Sequence, residues 1–260
     1  MDENSFSVTK LSVNVNKIAT LRNSRGGKIP HLISFCGLVL DSGADGITIH
    51  PREDERHINS QDVWEITEFM RSYNQSSLHY KEFNIEGEPS PRFLQLVERA
   101  KPDQVTLVPV RPGEITSDHG FRFSNPEEKK AIEPFLSRSK GLGLRVSVFV
   151  EPIPEEISFC HKIGADRIEL YTGPFAHAFD QDISMAKAIY EDYVATSQEA
   201  QKFGLGINAG HDLDTHNLAI FKNLPGLLEV SIGHRLVSDA LVWGMEKTIK
   251  EYKKALLLGA

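Results

Sequence analysis

Residues 43–50, Gly43-Ala-Asp-Gly-Ile-Thr-Ile-His50, end one helical stretch and open a strand. Glycine suits the left-handed cap that stops a helix. The run after it alternates, with Ile47 and Ile49 on one face and Thr48 and His50 on the other. The same split recurs along the chain. Val13 and Val15 oppose Ser12, Asn14 and Asn16, and Ile85 opposes Asn84 and Glu86. Ile168 and Leu170 oppose Glu169, Ile207 opposes Asn208, and Val230 and Ile232 oppose Ser231. An open parallel sheet, covered by helices on both faces, reads instead as continuous apolar runs. One apolar and one polar face predicts a closed barrel, with aliphatic side chains under the helices and a polar lumen. That lumen has two readings: groups that hydrogen-bond one another in layers, or a site. Two carboxylic acids among them favour a site, because unpaired buried charge is costly.

Working outward, β-rich runs lie at 11–16, 46–50, 83–86, 104–108, 145–150, 167–171, 206–209 and 229–232. Helical periodicity fills segments between them, notably 91–101, 125–142, 183–203 and 236–257. Further glycine stops stand at 141–143, 164–166 and 203–206. Strand and helix in alternation predict βαβ units and a parallel sheet. The 260 residues match the ~250 typical of an α/β (β/α)8 TIM barrel. No linker or composition shift divides the chain, so residues 1–260 are expected to form one barrel domain.

Composition narrows the function classes. The fractions, 40% hydrophobic and 25% charged, are those of an ordinary globular protein. A net charge of −7 argues against a broad nucleic-acid-binding face. No run approaches the ~20 apolar residues that span a bilayer. Residues 1–10 are polar and lack the apolar core of a signal peptide, so neither a membrane nor a nucleic acid is an expected partner and a cytoplasmic location is. Cys36 and Cys160 give no disulfide framework and read as small core residues.

Active sites of such barrels lie at the C-terminal ends of the strands. His50, Glu86, Gly210-His211 and Gly233-His234 all fall there. Histidines near neutrality and a carboxylate raised by burial suit general acid–base work. The loop His50-Pro-Arg-Glu-Asp-Glu-Arg-His57 brings Arg52, Arg56 and His57 to the mouth, where guanidinium groups favour phosphate. Glu53 to Glu55 read as a solvated face. The stretch Arg22-Asn-Ser-Arg-Gly-Gly27 reads as a loop able to close over an anion. Gly233-His234, just before a helix, offers backbone donors of the kind that hold phosphate. Two anion-binding regions on one rim predict two phosphorylated substrates or one bisphosphate. No His-x-His or His-x-x-x-His spacing marks a preformed metal site, and no Gly-x-Gly-x-x-Gly or Walker sequence is present.

Six segments carry a family resemblance. They are Val13-Asn-Val-Asn-Lys-Ile-Ala-Thr-Leu-Arg-Asn-Ser-Arg-Gly26, Gly43-Ala-Asp-Gly-Ile-Thr-Ile-His-Pro-Arg-Glu-Asp-Glu-Arg-His-Ile58, Asn84-Ile-Glu-Gly87, Val105-Thr-Leu-Val-Pro109, Ile207-Asn-Ala-Gly-His211 and Val230-Ser-Ile-Gly-His234. In this order they resemble the pyridoxine 5'-phosphate synthases of vitamin B6 biosynthesis. The resemblance implies a (β/α)8 barrel with additional helices, a homo-octamer, and no metal or organic cofactor. It implies condensation of 1-deoxy-D-xylulose 5-phosphate with 3-amino-2-oxopropyl phosphate to pyridoxine 5'-phosphate, inorganic phosphate and water. By the same resemblance His50 and Glu86 are proton acceptors, His211 a proton donor and Glu169 a transition-state stabiliser. Arg52, His57 and Thr116 match contacts to the deoxyxylulose phosphate. Asn14, Arg25, Gly233 and His234 match contacts to the amino ketone phosphate.

Two places depart from the family pattern. Asn16-Lys17 stands where many members have Asp-His, a pair that helps hold the sugar phosphate; the amide and the ammonium keep a hydrogen-bonding group and a cation there. Asp212 replaces a glycine, and its carboxylate either orients His211 or repels a phosphate. Residues 72–81 read as an extended loop without an assigned role. The fold by itself leaves two further classes open. One is a sugar-phosphate isomerase or aldolase, for which Lys17 is the only Schiff-base candidate; the other is a barrel that binds a phosphorylated metabolite without catalysis.

Overall fold

The computed structural model describes residues 8–110 and 118–257. The strands are β1 (Lys10–Asn14), β2 (Gly46–Ile49), β3 (Glu82–Gly87), β4 (Gln104–Leu107), β5 (Arg145–Val150), β6 (Arg167–Tyr171), β7 (Gly206–Gly210) and β8 (Leu227–Ile232). They are parallel and close in sequence order, β8 pairing with β1 through Lys10 and Glu229 to Val13 and Ile232. Around them run α1 (Asn16–Asn23), α2 (Leu32–Asp41), α3 (Ser60–Ser76), α4 (Pro91–Ala100), α5 (Pro126–Gly141), α6 (Pro154–Ile163), α7 (Gly173–Gln181), α8 (Ile183–Lys202), α9 (Leu218–Phe221), α10 (His234–Trp243) and α11 (Met245–Ala255). The expected TIM barrel is therefore present. Among the described residues, no helix is long and apolar enough to cross a membrane.

The strand alternation sets the two layers of the core. Val13, Ile47, Ile85, Val105, Val146, Ile168, Ile207 and Val230 are buried in the apolar shell that the helices cover. Cys36 on α2 and Cys160 on α6 are buried and unbridged in the same shell. The intervening polar residues fill the lumen, and both readings of it hold at different heights. Toward the N-terminal end most of the groups satisfy one another, Gln104 Nε2 being an exception. Arg145 bonds Glu82 and Gln104, Arg167 donates to Asn208 at 3.1 Å, and Asn208 donates to Glu229 at 3.4 Å. Above them the Ser12 and Thr48 hydroxyls meet at 2.7 Å, and Thr106 bridges the side-chain oxygen Oδ1 of Asn84 at 3.2 Å and Glu169 at 3.3 Å. Toward the C-terminal end the lumen opens.

Element boundaries differ from the sequence reading in four places. The first strand stops at Asn14, because the Asn14 side chain accepts the Asn16 N–H at 3.0 Å and the chain turns at Val15 into α1. Side chains of this type compete with strand pairing by bonding their own backbone. Asn16 and Lys17 thus sit on the first turn of a helix. Arg22 and Asn23 belong to α1, not to an anion-closing loop, and both are engaged by neighbours. α3 extends through Ser76, leaving only 77–81 as loop, with Asn74 bonding both backbone groups of Lys81. The helix expected over 236–257 begins at His234 and is broken at Gly244, whose φ of 80° suits glycine.

One carboxylate ties this frame to the strand-end loops. Asp62 completes a capping box with Asn59 at the start of α3 and also accepts from Arg22, Nη2 to Oδ2 being 2.7 Å. Asn23 donates to the His57 carbonyl at 2.8 Å. Removing one partner of a buried ion pair costs about 3–5 kcal/mol, since the other charge stays buried. Asp62→Ala is expected to lose that much in urea unfolding, and Asp62→Asn less, because an amide oxygen still accepts. A loss below about 1 kcal/mol, the scale of a helix cap alone, would mean that the Arg22 pairing contributes nothing.

Candidate active site

At the C-terminal ends of the strands lies a cavity of about 420 Å³. β1 and α1 bring Asn14, Asn16, Lys17 and Thr20 to it, and the loop after β2 brings His50, Arg52, Arg56 and His57. β3 contributes Glu86, β5 Phe149 and β6 Glu169. His211 and Asp212 follow β7, and Ser231, Gly233 and His234 end β8. Of the residues expected at the site, Arg25 lies outside this lining, exposed in the turn after α1. Thr116 lies outside the described residues.

A relay of amides sets the base side of the cavity. Asn14 uses its oxygen to start α1 and its Nδ2 to donate to Glu86 Oε2 at 3.3 Å. Asn16 in turn accepts the backbone N–H of His50 at 2.9 Å. That bond needs only an acceptor, so the asparagine side chain supplies it without a charge. His50 Nδ1 stands 4.0 Å from Glu86 Oε2. The loop beyond is pinned from outside, with Arg92 donating to the Pro51 carbonyl at 2.8 Å. His57 Nδ1 accepts the Ile58 N–H at 2.9 Å, so a neutral His57 carries its proton on Nε2.

The acid side depends on close backbone approach. Glu169 accepts from Thr106, and its Oε1 lies so near Gly210 that a Cβ there would come within 2.4 Å of it. Gly233 packs on Asn14 less tightly, a Cβ meeting that side chain at 3.1 Å. Gly233 begins α10 without a side-chain cap, which leaves first-turn N–H groups for an anion. His211 packs between Phe149 and Tyr171, both ring centroids 5.5 Å away. Its φ of 84° and the 57° of Asp212 are left-handed, so Asp212 occupies a conformation that glycine adopts freely.

Burial inverts the usual order of these acids and bases. Glu86 and Glu169 are each pushed up to about 8 by burial, Glu169 further by the charge of Glu86. His50 falls well below its ordinary value through burial and the positive neighbours His57 and Arg52. His57 is lowered to about 4 by burial and then Arg52. His211 is lowered by burial while the Asp212 carboxylate opposes the shift. At neutral pH the cavity therefore holds protonated carboxyls beside neutral imidazoles. Such a set can both give and take protons near pH 7. Among the described residues, no group of three or more His, Cys, Asp or Glu is placed to hold a metal ion.

Sequence reasoning did not single out Thr20, Val108 or Phe149. The fifth strand carried a signal for Phe149, since Arg145, Ser147 and Phe149 share a face. Thr20 joins the site only because α1 begins at Asn16, one helical turn earlier.

Across residues 11–257 the chain matches the family model described as pyridoxal phosphate biosynthesis protein PdxJ. It is 56% identical over 259 residues to the pyridoxine 5'-phosphate synthase of Leptospira biflexa serovar Patoc (strain Patoc 1 / Ames), covering 97% of this chain and 98% of that relative. It is 48% identical over 250 residues to the pyridoxine 5'-phosphate synthase of Bacteroides fragilis (strain YCH46), covering 96% and 100%. Among solved structures, 3-hexulose-6-phosphate synthase from Salmonella typhimurium superposes with a TM-score of 0.63 at 15% identity, covering 97% and 100%. That likeness concerns the fold alone.

The raised carboxyls fix a direction for stability against pH. The neutral Glu169 carboxyl contributes stability that is complete below its ordinary value of 4.5 and lost as pH rises through about 8. A glutamine cannot ionise. The urea midpoint of Glu169→Gln is expected to gain on the wild type steadily from pH 5 to pH 9. A constant difference over that range would show that Glu169 ionises as easily folded as unfolded. The opposite limb belongs to His57, whose contribution is lost as pH falls from 6.5 through about 4.

Proposed function

This chain belongs to the pyridoxal phosphate biosynthesis protein PdxJ family, and we propose that it is an enzyme making pyridoxine 5'-phosphate. The substrates are 1-deoxy-D-xylulose 5-phosphate and 3-amino-2-oxopropyl phosphate, and the products are pyridoxine 5'-phosphate, inorganic phosphate and water. The observation that carries this reading is the cavity itself. Across a single polar lumen it sets four acid–base groups between two places suited to phosphate. A condensation followed by dehydration, loss of phosphate and ring closure needs several proton transfers and no single dominant nucleophile.

In this reading the amine of the amino ketone attacks the sugar ketone; the neutral His50 accepts a proton from the amine, and the protonated Glu86 gives the one with which the hydroxyl leaves as water, so that its carboxylate is the next acceptor. The Glu86 carboxyl, held near neutral pH by burial, can release and regain a proton in each cycle. Asn14 orients it, and Asn16 orients the His50 backbone. Arg52, His57 and Lys17 form the positive side that suits the deoxyxylulose phosphate, while Gly233, His234 and the start of α10 suit the second phosphate. Two phosphate dianions would raise the neighbouring imidazoles toward their charged forms. His211 would then gain the proton it donates at ring closure only once substrates are bound. Glu169, neutral and held by Thr106, would hydrogen-bond the oxygen on which charge develops. The resemblance also assigns a homo-octamer; Leu241 and Val242, 77% and 81% exposed on α10, are apolar surface available to such an assembly.

The test mixes purified protein with both substrates and follows pyridoxine phosphate absorbance and phosphate release together. Equal amounts of both products are expected. Glu86→Gln is expected to lower turnover by at least about 100-fold, the lower range of a general-base contribution, while each substrate still binds in calorimetry. Binding without any product in the wild type would overturn the assignment. Normal turnover in Glu86→Gln would overturn the role of Glu86 alone.

A further inference from the structure

The His211-Asp212 corner combines two left-handed, non-glycine residues in succession, with φ of 84° and 57°. A backbone of this kind persists only where its surroundings hold it. The holders are buried side chains that do not line the cavity. Thr172, fully buried, follows β6 and begins α7. Its N–H donates to the Gly210 carbonyl at 2.9 Å, and its hydroxyl lies 2.6 Å from that carbonyl and also against the carbonyl of His211. Asn217, fully buried too, donates to the Asp212 carbonyl at 3.0 Å. The platform under Thr172 is itself anchored, since the Tyr193 hydroxyl on α8 donates to the Tyr171 carbonyl at 2.6 Å.

We propose that Thr172 is a positioning residue for the reaction, its hydroxyl fixing the turn that aims the His211 imidazole into the lumen. This rests on the proposed function, and it names how that function acquires one of its proton-transfer groups. The geometry makes the hydroxyl matter at two places. Gly210 backs onto Glu169, a Cβ there coming within 2.4 Å of Oε1, so the residue whose carbonyl Thr172 holds is also a neighbour of that carboxyl. His211 is wedged between Phe149 and Tyr171, and Tyr171 precedes Thr172 directly. One side chain outside the cavity thereby sets the spacing of two groups inside it. Threonine and valine have nearly the same shape, so replacing one with the other removes the hydroxyl and little packing.

Thr172→Val is expected to lower kcat by about 10- to 100-fold, the scale of a misplacement near 1 Å. KM for both substrates should stay within about threefold, because the phosphate-binding regions lie elsewhere. Thr172→Ser, which keeps the hydroxyl, should recover most of kcat. The second readout is independent of turnover. The His211 ring resonance, identified by its absence in His211→Asn, should move in Thr172→Val and stay in place in Thr172→Ser. If the valine substitution prevents folding, Thr172→Ala gives the same comparison. A wild-type kcat and an unmoved resonance in the valine variant would overturn the proposal. Equal impairment of the serine and valine variants would overturn it as well. Absence of product in the wild type would refute the enzymatic reading, and the resonance would still decide whether Thr172 places His211.

Discussion

A closed parallel barrel gives each strand residue two destinations, the apolar shell or the lumen, and every polar group sent to the lumen must be satisfied there. Much of this structure follows from that constraint. Near the N-terminal end the acids Glu82 and Glu229 meet Arg145 and Arg167 through direct or amide-bridged contacts. Near the other end the chain supplies Glu86 and Glu169 with an amide and a hydroxyl instead of a cation. Among the described residues, neither of these two lies within ion-pair distance of a lysine or arginine. Burial without a counter-charge is what keeps both carboxyls protonated near neutrality. The same lumen is thus a sealed polar core at one end and acid–base machinery at the other.

The positive groups stand apart from those carboxyls, at the rim. Arg52, Arg56 and Lys17 line the mouth beside a neutral His57, and burial together with the arginine charge lowers the imidazoles. Charge on this rim would be neutralised by phosphate. Under the proposed function the site would change its protonation as it fills, because an incoming dianion would oppose the field that the histidines experience. The departure at Asn16-Lys17 fits within that scheme. Asn16 supplies an acceptor for the His50 backbone, and Lys17 keeps a cation in the cavity lining.

Precision in the site comes from backbone devices as much as from the reacting groups. Asn14 starts a helix where a strand would otherwise continue. Gly210 lets a carboxylate come closer than a Cβ would permit, and Gly233 lets Asn14 pack more tightly than most Cβ contacts allow. Arg22, Asn23 and Arg92 hold the loop after β2 by its carbonyls, from positions outside the cavity. Asp212 shows that the left-handed turn after His211 tolerates a short polar side chain where its carbonyl is held by Asn217.

The barrel was legible in the chain because period-two alternation is a property of neighbouring residues and needs no tertiary information. The polar face also sent Glu86 and Glu169 to the lumen, and the strand ends put His50, His211 and His234 at the rim, which is where the structure has them. Boundaries were less legible. The first strand looked two residues longer because Val15 continues the apolar alternation, and only the Asn14 side chain turning back on its own backbone ends it. The break at Gly244 was hidden in an otherwise helical pattern. What the sequence determined by itself was the fold class and the acid–base groups of the rim, since both are written in local periodicity and residue type. What only the tertiary structure decided was protonation and aim. Those depend on burial, on the distance between side chains far apart in the chain, and on partners such as Thr106, Thr172 and Asn217 whose role no local pattern marks.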